Sequence, residues 1–153
     1  MNISLPILEW HRMAEDGKAP PVRIPLNGWS MSPLIRRARD YVTIIPVDRK
    51  LIPGDIVLIA EPDIDRYVMH RVWEIKADQV KTWGDNCERD DGWFPLDAIW
   101  GRAILIERGD RKIKTDPKKG MRWAKFWHQG RKVYHLYDKC RNGMKNRIKK
   151  MFV

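Results

Sequence analysis

Apolar positions recur at two different spacings along the chain. In "ILEWHRMAED", residues 7–16, Ile7, Trp10 and Met13 with Ala14 fall at helical intervals, and "GKAPP" then ends the segment with a glycine and two prolines. This predicts a short N-terminal helix. From Val22 onward the period shortens, giving "VRIPL", "DYVTIIPV", "GDIVLIA", "RYVMHRVWEI", "QVKTWG" and "WGRAILIER", each run broken by turn-forming residues. Short runs at that interval predict a small, mainly β domain with a mostly antiparallel, curled or barrel-like sheet. "MSPLIRRA", between the first two runs, has the length for one helical turn or more.

Between the strands, "GDNCERDDGW", from Gly84 to Trp93, is too polar and too rich in turn formers for a strand and is expected to be an exposed loop. "GDRKIKTDPKKG" has the composition of a linker. Beyond it the chain is basic with interspersed aromatics, and Tyr137, Cys140, Met144, Ile148 and Met151 with Phe152 line one helical face interrupted at Gly143. The resulting division is an N-terminal helix and linker over 1–20, a β domain over 21–110, and a basic, partly helical extension over 111–153.

Charge sharpens that division. Residues 1–110 hold 15 Lys/Arg against 18 Asp/Glu, whereas residues 111–153 hold 15 against 2. A basic tail on a near-neutral body is the usual footprint of an anionic partner and says little about chemistry in the body. The 153 residues suffice for one stable domain without staples, and Cys87 and Cys140 match no metal-ligand spacing, so neither metal nor cofactor is expected. The apolar runs are far shorter than the roughly 20 residues a membrane-crossing helix needs, and "MNISLPILEWHR" lacks a signal-peptide layout. A cytoplasmic chain is expected, with peripheral membrane contact as an option for the tail.

The chemistry centres on "NGWSMSPLI", which sets Ser30 between Trp29 and Met31 just after a β-prone run. A serine hydroxyl becomes a nucleophile only when a base removes its proton. Of four histidines, His11 belongs to the N-terminal helix and His128 and His135 to the tail, leaving His70, in "RYVMHRVWEI", as the one inside the β body. A lone strand histidine is more often structural, and "GDNCERDD" by itself reads as a set of Asx turns.

Taken together and in order, "GWSMSP", "RDYVTIIP", "PGDIVLI", "VMHRV" and "WGDNCERDDGW" followed by "IWGRA" resemble the type I signal peptidase superfamily, which includes the self-cleaving SOS-repressor-type peptidases. The likeness covers about residues 22–107 and rests on five motifs agreeing in order and spacing. His70 stands where the bacterial branch typically has a lysine. In that respect the chain is similar to the endoplasmic-reticulum and archaeal-type branch, which uses Ser-His with a supporting Asp.

The resemblance implies a serine endopeptidase, with Ser30 as nucleophile, His70 as general base, and an Asp in the following loop to orient the imidazole. Asp91 is the best match by motif position, Asp85 in "GDN" is expected to shape the loop, and Asp90 stays open. An imidazole titrates near neutrality and needs chiefly orientation and the right tautomer, so activity is expected to rise near neutral pH. The amide of Ser30 would be one oxyanion donor, with the turn at Gly28 allowing close approach. A backbone amide, the Asn27 side chain or a water are the options for the second. Met31 is expected in a shallow pocket beside Ser30, and Trp29 either covers that pocket or packs into the core. "VRIPLN", ending at Leu26 and Asn27, would pair with an extended substrate as an edge strand.

The expected partner is therefore a peptide or protein precursor, cut in an extended segment. In the tail, Trp123, Phe126, Trp127, Met144, Ile148 and Phe152 would contact an anionic membrane surface while lysines face phosphates, and a solvated charged helix is the plainer reading. The competing function is a catalytically silent module of the same fold whose tail binds nucleic acid or membrane. Nucleic acid is the weaker option for the chain as a whole, because barely 20 residues precede the β body and leave no room for a helix-turn-helix.

Overall fold

The uninterrupted apolar run "IVLIA" marks a strand covered on both faces, and it forms the hinge of the architecture. The computed structural model describes residues 4–61 and 66–130. Helix α1 (Ser4–Glu15) is followed by strands β1 (Val22–Pro25), β2 (Asp40–Ile45), β3 (Ile56–Glu61), β4 (Arg66–Lys76), β5 (Gln79–Trp83), β6 (Gly92–Pro95), β7 (Ile99–Arg108) and β8 (Arg111–Lys114), with a 3₁₀ turn at Leu96–Ala98. A second helix, α2, starts at residue 117 and its described part runs to 130. The chain divides into two units, Met1–Met121 and Arg122–Val153.

The first unit is mainly β, as the alternation predicts. Its strands form one antiparallel sheet in the order β1-β2-β7-β3-β4-β5-β6, with β8 beside β7, and among the described residues the sheet is not closed. Register shifts in β2, β3 and β4 curl it. Because side chains alternate along a strand, β3 serves two cores. Ile56, Leu58 and Ala60 join α1, β2 and β7 on one face, while Val57 and Ile59 join Leu51, Val72, Val80 and Ile99 on the other.

Helix α1 closes the first core through Ile7 and Trp10, and the Trp10 indole donates to the Pro20 carbonyl at 2.7 Å. Full burial of a side chain such as Ile7 stabilises by roughly 2 kcal/mol. Met13 does not share that burial; it lies past the end of the contact and is 44% exposed. The stretch expected to be a linker is instead a hairpin. Arg108 pairs with Arg111 across the two-residue turn Gly109–Asp110, with Gly109 at φ +56°, so the β domain extends past residue 110.

The turn after β1 is braced by a buried carboxylate. Asp40 of β2 accepts from the Arg36 amide and guanidinium and from Arg108 of β7, while Arg108 also donates to the Leu34 carbonyl. One helical-type turn, Ile35 N–H to Met31 C=O, is all that "MSPLIRRA" contributes. Gly54 fixes the turn into β3, with φ +102° and only 2.0 Å between its Cβ position and the Pro117 carbonyl oxygen.

In the second unit Trp123 and Trp127 stack with ring centroids 5.9 Å apart, and Phe126 is 74% exposed. His135 and the expected apolar face from Tyr137 to Phe152 lie outside the described residues. No helix among the described residues is long and apolar enough to cross a membrane.

Candidate active site

Strand pairing brings His70 and Asp91 together, and the loop after β5 carries Gly84 to the Ser30 backbone. In the β4–β5 hairpin Arg71 lies opposite Trp83, so the loop that leaves β5 at Gly84 begins beside His70. The loop returns to pair β6 with β5, and the Asp91 amide donates to the Thr82 carbonyl at 2.9 Å. A polar loop of this length is thus pinned at both ends.

His70 is buried, 4% exposed, and its Nδ1 lies 2.6 Å from Asp91 Oδ2. The same oxygen accepts from the buried Thr82 hydroxyl at 2.8 Å. A carboxylate so held accepts a hydrogen bond from Nδ1–H and leaves Nε2 as the reacting nitrogen. Burial depresses the His70 pKa, but the hydrogen bonds and charges of Asp91 and Cys87 outweigh it and raise it to about 9. That differs from the near-neutral titration expected from an ordinary imidazole. Two partners that favour the imidazolium surround this ring.

On the Nε2 side, Gly84 is the meeting point. Its Cβ position would lie 2.6 Å from Cys87 Sγ, 2.9 Å from His70 Nε2 and 3.0 Å from the Ser30 carbonyl oxygen. A bare glycine backbone therefore lets three groups converge. The Ser30 carbonyl also accepts from the Asn86 amide at 2.6 Å, which ties the serine turn to the "GDN" loop. Cys87, which sequence reading treats as an ordinary thiol, brings its sulfur to the same point over Gly84 as His70 Nε2.

Ser30 opens onto a cleft of about 220 Å³, lined also by Leu26, Gly28, Met31, Tyr67 and Met69. Two strand edges flank it. Among the described residues β1 pairs only with β2, and residues 66–70 of β4 pair only with β3 because β5 begins its pairing at Arg71. Met31 is buried at 2% exposure while still lining the cleft, which makes it part of the floor.

Other expected residues are placed differently. Asp85, matched to the family's catalytic loop and expected to shape it, does not reach His70: it directs both oxygens at the Arg71 guanidinium, at 2.8 and 2.7 Å, and is fully buried. Arg71 also donates to the Gly54 carbonyl, so the pair ties the loop to the turn before β3. Asp90 accepts from the Gly92 amide and pairs with Lys81 at the surface. Trp29 neither covers the cleft nor joins the core; it is 62% exposed, with the Arg37 guanidinium 5.5 Å from its ring centroid. The last two residues of the expected loop, Gly92 and Trp93, belong to strand β6.

Sequence reasoning missed Thr82, Gly84, Arg71 and Cys87 as parts of the site. Only Gly84 and Cys87 carried a signal, through their place within "GDNC". Among the described residues no group of three or more His, Cys, Asp or Glu side chains is arranged to hold a metal ion. No family model matches the chain, and no curated protein matches it significantly.

Proposed function

We propose that this protein is a serine endopeptidase that cuts an extended segment of a peptide or protein precursor, in the manner of signal- or leader-peptide processing. The supporting observation is a His70–Asp91 pair at 2.6 Å beside the end of an open cleft that Ser30 lines. In this reading the Ser30 hydroxyl attacks the scissile carbonyl while neutral His70 accepts its proton at Nε2. Asp91 stabilises the imidazolium that forms, and the proton passes to the leaving amine. The Ser30 amide donates to the oxyanion, and Asn27, which also lines the cleft, offers a side-chain amide as the second donor.

The proposed substrate binds as a strand between β1 and the 66–70 edge of β4, with Leu26, Gly28 and Met31 bounding a shallow apolar pocket that favours small side chains. The proposed location is the cytoplasm, with residues 111–153 touching an anionic membrane surface; their 15 Lys/Arg against 2 Asp/Glu support this. Flotation with anionic but not neutral vesicles is the expected result. Salt-sensitive binding to nucleic acid with no flotation would favour the silent-module reading instead.

A serine-directed fluorophosphonate probe, which phosphonylates the nucleophilic oxygen with loss of fluoride, tests the catalytic claim. Mass mapping should find the adduct on Ser30 in the parent chain and none in Ser30→Ala or His70→Ala. A parent chain that carries no adduct at Ser30, or equal labelling of all three chains, removes the proposal.

A further inference from the structure

The thiol of Cys87 is the one nucleophile in the site to which peptide cleavage assigns no task. It lies in the loop between β5 and β6, partly exposed, and its sulfur and His70 Nε2 crowd the same point over Gly84, at 2.6 and 2.9 Å. Because Asp91 occupies Nδ1, the ring atom that faces the thiol across Gly84 is Nε2. Sulfur, imidazole and carboxylate therefore form a second connected triad on the same base.

Such an arrangement activates a thiol. An imidazole within hydrogen-bond reach takes the sulfhydryl proton, and the imidazolium so formed, steadied by a carboxylate, keeps the thiolate poised for attack. An exposed cysteine elsewhere on the surface has no such base.

We propose that Cys87 is a modification site that takes up small disulfides, and that its capping withdraws His70 from Ser30. The thiol gives its proton to His70, and the thiolate attacks one sulfur of the disulfide. That S–S bond breaks, a new one forms to Cys87, and the departing thiolate leaves as a thiol after taking up a proton. The products are a mixed disulfide on Cys87 and one free small thiol. A capped sulfur bears its new substituent at the mouth of the Nε2 face, where the Ser30 proton must arrive. The second half of the proposal rests on the peptidase reading; the first half does not.

The experiment uses the full chain carrying Cys140→Ser, so that Cys87 is the only cysteine. Oxidised glutathione and an aromatic disulfide are the probes, and mass spectrometry follows the adduct on Cys87 at pH 7.5. His70→Gln and Asp91→Asn variants, checked for native circular dichroism, should react at least tenfold more slowly than the parent. Equal rates in all three overturn the activated thiol, and comparing two variants guards against one that fails to fold. The capped parent should then lose phosphonate labelling at Ser30 and regain it on reduction. Undiminished labelling of the capped chain overturns the gating. Absence of labelling even in the uncapped chain would instead sink the peptidase reading, with the thiol rates still deciding the fate of the activated cysteine.

Discussion

At His70 two opposing effects act on one ring. Burial favours neutral imidazole, and the charges and hydrogen bonds of Asp91 and Cys87 favour imidazolium and win, raising the pKa to about 9. A general base must be neutral to act, so Ser30 labelling should climb with pH through about 9 rather than level off near neutrality. In Asp91→Asn the lowering effect of burial meets less resistance, so the rise should move to lower pH while the plateau rate falls by roughly a thousandfold or more. A pH–rate profile of probe labelling checks both; a parent rise complete by pH 7 contradicts them. Stability follows the same shift with a definite sign. A group whose pKa is raised by folding stabilises fully below its ordinary value of 6.5, and that contribution is lost as pH rises through about 9. Gly84 is the other decisive position here. A methyl there meets Cys87 Sγ, His70 Nε2 and the fixed Ser30 carbonyl at 3.0 Å or less, and the last belongs to backbone that cannot swing aside. Gly84→Ala should lower stability by about 1–3 kcal/mol in urea titration. It should also lower labelling more than the remaining folded fraction explains. Of this site, Ser30, His70 and Asp91 were legible in the sequence because residue type and order suffice to nominate them. Thr82 and Gly84 were not, because their importance lies in distances that exist only once β5 is paired.

Among the elements, short β-type runs located β1, β2, β3, β4, β5 and β7, alternating where one face meets a core and continuously apolar in β3, where both do. Strands β6 and β8 escaped for a physical reason: both are short and only partly covered, and β8, with sequence RKIK, offers little apolar alternation. Their pairing comes from neighbours rather than from their own composition. The same limit hid the role of Asp85. A motif marked the aspartate, but only the β4–β5 hairpin shows that its carboxylate belongs to Arg71, an ion pair whose side chains are 1% and 0% exposed. A buried pair contributes little beyond what apolar residues of that size would give, yet removal of one partner strands the other charge. Asp85→Ala and Arg71→Met should each destabilise by about 3–5 kcal/mol, whereas Arg71→Met with Asp85→Leu should recover much of that loss. Urea unfolding of the three variants decides it. Losses that simply add in the double variant would show that the two side chains act separately, against the geometry described here.

For the whole molecule, the open sheet creates a place for a visiting strand. Closure into a barrel would pair every edge, but here β1 ends the sheet and residues 66–70 of β4 have one unpaired side, and residues from both line the cleft that Ser30 opens onto. An unpaired edge left near a core invites association unless something occupies it. In the proposed peptidase the substrate does so, and its main-chain N–H and C=O groups set the register that brings one peptide bond to Ser30. Main-chain recognition makes a prediction that side-chain recognition does not. In a cleavable peptide, methylation of backbone nitrogens one residue at a time, with every side chain unchanged, should weaken cleavage at each residue seated between the two edges and leave it unchanged at residues beyond them. Strand hydrogen bonds point to opposite edges in succession, so the residues that donate to β1 are not those that donate to β4. Each lost bond is worth about 1 kcal/mol net, so affected peptides should lose roughly fivefold in kcat/KM, and two affected positions together roughly 25-fold. An effect that continues undiminished beyond the seated segment would point to simple crowding, and no effect at all would mean that the two free edges do not hold the substrate.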